Sequence, residues 1–471
     1  MVKRTVHILA GPAVFFACWL LLPASVFETS AARAAVGTVA WMAYWWITGP
    51  VDFAVTALLP IVLNALLQMT DMSAVIANYA SETILLLLGA SILTASWEET
   101  GLDSRIAAKF LSMVGSNLRH QIIFWFLLCA GLSAILPNAV VCAAVTPIAV
   151  SMLRHVGEKD IAKSPVGSLL LLTVAYATGV GGLASPLGGA MNLVTVDYLE
   201  KITGQEYMYI SWVIRFLPVM LVLLTSNILM LLIGTKKTDQ LGGSREYFVS
   251  QYKAMPPMSR EEKWSLGLFL LATGLSFTRQ LYQTWLPGLK PAYVFVLCAV
   301  LSFLVVRKDG QRLMQWKNTQ KRIGWELIYV FAGGLAAGTL INKSGAAESI
   351  AKLVSGSSLT GGFGTVLAIL TLTLLLSDVT SNTATAAVAM PIVIGIAEGI
   401  GENPIPYIYI ASIGVNLSYM LPTSIRAIPV GYGLQPKYML KKGIPITIVV
   451  ILLMSVLGYL LMRFWPAFST V

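Results

Sequence analysis

The sequence predicts an all-α polytopic membrane protein built from two inverted repeats, and three features carry that expectation. Of its 471 residues 56% are hydrophobic and 11% charged, with a mean hydropathy of +0.76, whereas a soluble domain has about a quarter of its residues charged. Apolar stretches long enough to cross the hydrocarbon, about 20 residues each, recur from Ile8 to Phe464 with short polar breaks. The chain also matches itself, ungapped, when Glu82 is laid on Glu326.

With Gly, Pro and charge as punctuation, spans fall near 8–27, 35–48, 51–69, 80–97, 168–187, 209–234, 264–282, 291–306, 322–343, 405–424 and 442–464, which makes 11 transmembrane helices. The first follows Lys3 and Arg4 as a signal peptide does, but its length and the many spans after it predict an uncleaved helix. Segments 118–153 and 359–398 are too long for one crossing and are interrupted at Pro137-Asn138 and at Asp378 to Thr383. Each reads as a re-entrant hairpin, which a bilayer tolerates only where its open backbone is buried in protein or lines a wet cavity. The expected organisation is an extra helix in 1–34, a first repeat over 35–234, a polar cytoplasmic linker over 235–263, and a second repeat over 264–471.

The self-match is most telling where it is polar. In the one register Gly89 meets Gly333, Gly101 meets Gly345, Ile106-Ala107 meets Ile350-Ala351, Ser133 meets Ser377, Asn138 meets Asn382, and Pro147-Ile148 meets Pro391-Ile392. Duplication explains this more simply than chance. Five spans per repeat is an odd number, so the copies face opposite ways, and broken elements meeting at mid-membrane mark the binding site in secondary transporters. With the N-terminus in the cytoplasm and the C-terminus outside, 24 of 32 basic residues fall inside, Arg426 among them. The positive-inside rule asks for that asymmetry in an inner (plasma) membrane protein.

Several classes are excluded. The net charge of +10 sits in loops flanking spans, so it orients the chain and does not bind nucleic acid. Cys18, Cys129, Cys142 and Cys298 lie in apolar runs and read as small core residues. His7, His120 and His155 lie at membrane boundaries without metal-ligand spacing, and Trp41 to Trp46 reads as interfacial packing. No phosphate-binding loop, nucleophile elbow or paired catalytic carboxylates occur.

The chemistry concentrates at the hairpin tips. Ser377-Asp378-Val379-Thr380-Ser381-Asn382-Thr383-Ala384-Thr385 puts hydroxyls and an amide at a helix break, where helix N-termini add partial positive charge suited to a carboxylate. The same oxygens suit Na⁺. Breaks follow each hairpin, at Gly179 to Gly189 and at Asn416 to Ser424. Asp378 reads either as an ion or proton site or as a cap on backbone amides, and Arg426 either as a partner for a substrate carboxylate or as an anchoring charge at the cytoplasmic edge.

The tip Ser381-Asn382-Thr383-Ala384-Thr385-Ala386-Ala387 with Pro391 resembles the Ser-Asn-Thr signature of the divalent anion:sodium symporters. Leu88-Gly89 through Leu102, Gly181-Gly182 through Asn192, and Gly333-Gly334 through Gly345 resemble further stretches of that family. The resemblance implies scaffold and transport domains moving as an elevator, in a homodimer, with Na⁺ as coupling ion and no other cofactor. By position it implies sodium sites at Ser133, Asn138 and Gly182 and at Ser377, Asn382 and Ser424. The substrate, a di- or tricarboxylate, is expected between Asn138 and Ser381, Asn382 and Thr383, with Ser185, Thr423 and Arg426 nearby. The chain departs from the family at Pro137-Asn138-Ala139, which lacks two hydroxyls, and at Thr423-Ser424-Ile425-Arg426, which lacks a pair of prolines. Rival readings are an inorganic oxyanion carrier, an anion exchanger or a cation/proton antiporter on the same fold and, more distantly, a membrane-embedded enzyme.

Overall fold

The computed structural model describes residues 2–158, 160–307, 310–349 and 360–471. Among them the chain is helical, and pairing between extended segments is limited to the isolated bridges Asn117–Gln240 and Val306–Arg312. Eight of the described helices are long and apolar enough to cross a membrane, and four shorter apolar helices accompany them. Fewer full-length helices than expected spans follows from breaks inside the apolar runs. The run at 51–69 divides into Phe53–Thr56 and Leu59–Leu67, and that at 405–424 is helical only over Pro404–Asn416 before unwinding. Both arms that restart after a hairpin tip, Asn138–His155 and Asn382–Gly399, are long enough to count among the eight.

The self-match is realised in backbone. These two arms are each 18 residues long and begin at Asn138 and Asn382, the residues paired in the ungapped register. Ile350-Ala351, Lys159 and Lys352, and residue 359 at the expected start of the second hairpin, lie outside the described residues.

Burial separates central helices from peripheral ones. The apolar window of Pro165–Gly182 is 89% buried and that of Arg4–Leu21 only 11%, so the former is apolar all round because protein surrounds it. The hairpin arms Leu118–Ser133 and Phe363–Val379 pack on Pro165–Gly182 and Pro404–Asn416 respectively. Beside them Glu82–Thr100, Arg260–Phe277 and Pro291–Leu304 pack together, while Val2–Leu21 leans on Ser30–Thr48. Lipid gives helices no hydrophobic reason to associate, so close packing must hold them. A Cβ on Gly181 would collide with the Ala130 backbone of the first hairpin.

The polar segment 235–263 is more than a tether. Its helix Ser244–Ala254 buries Phe248 against the edge of Trp125 at 5.9 Å, and Gln121 Nε2 donates to Ser244 Oγ at 3.2 Å. Basic loops gather at this end: Arg105 grips both oxygens of Glu262, and Arg307 and Arg322 share Glu99 at 3.1 and 2.7 Å. At the other end of Glu82–Thr100, Glu82 pairs with Lys290 at 3.0 Å. Arg426 departs from the expectation that it anchors the cytoplasmic edge, because its side chain is buried at 1% exposure.

Gly181→Val is expected to cost about 1–3 kcal/mol, the usual penalty of overpacking. Thermal unfolding of the purified protein in detergent checks this, with Gly131→Ala as a control that loses no stability, because open space surrounds Gly131 and alanine suits a helix interior better than glycine.

Candidate functional site

Each hairpin tip is made by a helix that stops and restarts. Leu118–Ser133 is capped by Asn117, whose side chain accepts from the amides of Arg119 and His120. Pro137 supplies no side-chain cap to the helix opening at Asn138, so the first-turn amides there are left to other partners. At the second tip, Ser381 caps its own helix by accepting from the Ala384 amide at 3.1 Å, and Asn382 and Thr383 open the first turn.

The broken helices behind the tips are tied by side-chain amides. Asn192 donates to the carbonyls of Gly182 and Ser185 at 2.7 and 2.8 Å, and Ser185 Oγ donates to the Ala134 carbonyl at 2.5 Å, fastening the break to the first tip. Asn416 Nδ2 donates to Asn192 Oδ1 at 2.7 Å and to the Ser412 carbonyl at 2.8 Å, so one contact joins the two breaks.

Around the first tip, a Cβ on Gly188 would collide with the Gly182 carbonyl oxygen and stand 2.6 Å from that of Ser133. The close approach therefore requires glycine, and it gathers both carbonyls beside Asn138, whose Nδ2 lies against Gly182. Ser133 Oγ is buried there without a protein partner. These are hard oxygen donors at an unwound helix, the donor set that suits Na⁺.

Around the second tip, Ser377 Oγ donates to the Val415 carbonyl at 2.8 Å and sits 3.1 Å from Ser418 Oγ. Ser418 Oγ donates to the Ser377 carbonyl at 2.9 Å and lies 3.5 Å from Asn382 Oδ1. Ser418 falls within the expected break at Asn416 to Ser424 but not among the expected sodium-site residues. It lies in the unwound stretch after Asn416, where a register taken from helices does not carry across, so Ser424 was expected in that role.

Asp378 acts as a cap: its Oδ1 accepts from the amides of Tyr419 and Met420 at 2.8 and 2.9 Å. Thr423 Oγ1 donates to the Asp378 carbonyl at 2.9 Å. Arg426 Nη1 donates to Asn382 Oδ1 at 3.1 Å and Nη2 to the Asn416 carbonyl at 3.4 Å.

Both tips border one cavity of about 260 Å³, whose walls include Asn138, Asn382, Thr383 and Ser424, with Glu98 and Arg322 as its charged residues. Ser424 lies there at φ 52°, left-handed backbone that a residue with a Cβ rarely adopts. Ser381, Ser185 and Thr423 fasten the tips, and Ser133, Gly182, Ser377 and Arg426 lie behind the cavity wall. Glu98 and Arg322 carried no sequence signal beyond ending one span and preceding another.

An all-helical membrane chain whose two interrupted hairpins border a common cavity has the form of a transporter. Residues 43–414 match the citrate transporter family, CitMHS, and the chain belongs to that family. It is 28% identical over 481 residues to the sodium-dependent dicarboxylate transporter SdcS of Staphylococcus saprophyticus, covering 98% of this chain and 92% of that one. To SdcS of Staphylococcus aureus strain MRSA252 it is 26% identical, covering 90% and 84%. Its fold is similar to that of the YdaH transporter of Alcanivorax borkumensis, with a TM-score of 0.53 at 13% identity over 83% of this chain and 88% of the other.

Removing a buried acceptor strands its donors. Asp378→Ala is therefore expected to destabilise the protein by about 2–3 kcal/mol, and Asp378→Asn, which keeps an acceptor oxygen, by clearly less. Equal losses in thermal unfolding would argue against the cap.

Proposed function

We propose that the protein carries a di- or tricarboxylate across the plasma membrane by coupling to Na⁺. The carrying observation is that Asn138 and Asn382, equivalent residues at the first turns of equivalent helices, border one cavity. Helix N-termini present amides and partial positive charge to an anion. A cavity of about 260 Å³ holds a small molecule, whereas a water needs only about 10–15 Å³ by the same kind of measure. The sodium dependence and dicarboxylate specificity in the names of the SdcS relatives support the same reading.

In this mechanism Ser133, Asn138 and Gly182 hold Na⁺ at the first tip. The ion's charge, together with the first-turn amides, offsets that of the substrate carboxylates. Asn382 and Thr383 contact substrate from the other side, with Ser424 beside them, and Ser377 and Ser418 position Asn382. The reading includes eleven spans, two re-entrant hairpins and inverted repeats. The hairpins and broken helices form a transport domain that slides as an elevator along a scaffold, in a homodimer. The N-terminus is cytoplasmic and the C-terminus outside. In that orientation the cavity, whose wall includes Glu98, Arg322 and Gly324, opens inward, because Arg322 belongs to the basic end of the molecule.

The test is uptake of labelled succinate, citrate and sulfate into proteoliposomes under an inward Na⁺ gradient or with choline. Succinate or citrate uptake should follow Na⁺, while sulfate-only or Na⁺-indifferent uptake overturns the reading. Asn382→Ala and Asn138→Ala should each lower uptake roughly 10–100-fold, the loss of one hydrogen bond to a charged group. Normal transport by either variant removes the cavity from the mechanism.

A further inference from the structure

Beyond the hydroxyls and caps already described, the tips differ in what stands behind them: among the described residues a guanidinium lies behind the second, and no basic side chain donates to the first. Arg426 is 1% exposed, and no carboxylate among the described residues pairs with it. A buried charge is costly even with the buried Asp378 carboxylate as a charged neighbour, so its position calls for a reason. The two reasons offered by sequence fail. It does not anchor a membrane edge, being enclosed, and it does not reach substrate, because the cavity walls stop at Asn382, Ser424 and Ile425.

What Arg426 touches is informative. Nη1 and Nη2 donate to Asn382 Oδ1 and the Asn416 carbonyl, a side-chain oxygen at a tip and a main-chain oxygen at an unwound helix. The first tip offers the same kinds of oxygen, the Ser133 and Gly182 carbonyls and the Asn138 carboxamide, and among the described residues no basic side chain donates to any of them. The first broken helix also makes room for the guanidinium, since a Cβ on Gly179 would run into Nη2.

We propose that Arg426 is a tethered cation, supplying in the second repeat the positive charge that a bound Na⁺ supplies in the first, so that the protein binds Na⁺ at one tip only. The inference rests on the Na⁺-coupled reading above. A free cation about 4 Å from a guanidinium in protein surroundings binds roughly a thousandfold more weakly for that repulsion alone. Arg426 is thus a positioning residue, holding Asn382 toward the cavity while lending fixed charge to an anion site whose first tip has lost two hydroxyls.

The experiment is a Na⁺ titration, in choline-balanced buffer without substrate, of the thermal midpoint of the full-length protein in detergent. Wild type should respond with a Hill coefficient of about 1. Arg426→Ser should move the coefficient toward about 2 as Na⁺ enters the second tip, and Arg426→Lys should keep the wild-type slope. A wild-type coefficient near 2, no Na⁺ response at all, or a folded Arg426→Ser protein with an unchanged slope overturns the proposal. If Arg426→Ser does not fold, the wild-type and Arg426→Lys slopes decide. A single-site Na⁺ response without carboxylate uptake would sink the transport reading and leave this one standing.

Discussion

The hydrogen bond from Asn416 to Asn192 is the contact on which the central architecture turns. Two helices, Pro165–Gly182 and Pro404–Asn416, stop inside the protein, and each leaves carbonyls that no helical amide will take up. In a bilayer those groups have no water to turn to. Asn192 satisfies two of them, at Gly182 and Ser185, and its remaining oxygen receives Asn416, which in turn donates to Ser412. The carboxamide suits this work because it carries both donors and acceptor on one rigid plane. Breaking one helix is a liability; tying two breaks together through one amide-to-amide contact makes a fixed centre.

From that centre the hairpins follow. Ser185 holds the first tip through the Ala134 carbonyl, and Asp378 holds the second through the amides of Tyr419 and Met420. Polar groups that sequence reasoning treats as candidate ligands are therefore of two kinds. Some close the backbone circuit, as Ser185, Thr423 and Asp378 do. Others, Asn138, Asn382 and Thr383, stand at the restarted helix ends and border the cavity.

The restarted helical arms were legible because the self-match holds its register there. The restarted arms begin at Asn138 and Asn382 as the self-match requires, and prolines and capping residues mark where helices cease. That Asn138, Asn382 and Thr383 border one cavity was legible for the same reason. Legibility failed in the unwound segments, where side chains reach across without helical periodicity: Ser418 lies beside Ser377 and Asn382, and no spacing rule points to it. It failed again for Arg426. A basic residue next to a span end fits the positive-inside pattern, and nothing in the sequence links it to Gly179, which admits its guanidinium.

The same residues explain why the two repeats need not remain equal. In the proposed mechanism two equivalent tips meet the substrate at once, so charge supplied at one relaxes the demand on the other. The first tip reads Pro137-Asn138-Ala139 and keeps an orphaned Ser133 hydroxyl beside clustered carbonyls; the second keeps Ser381-Asn382-Thr383 and has Asn382 fixed by a buried guanidinium. Fewer hydroxyls at one tip and a fixed charge behind the other are complementary in the proposed site, because electrostatic attraction to an anion sums over both walls. Packing and backbone satisfaction bind the two halves together, as the contacts from Asn416 to Asn192 and from Tyr176 to the Tyr419 carbonyl do. Chemical symmetry is not enforced, since a shared ligand responds only to the total.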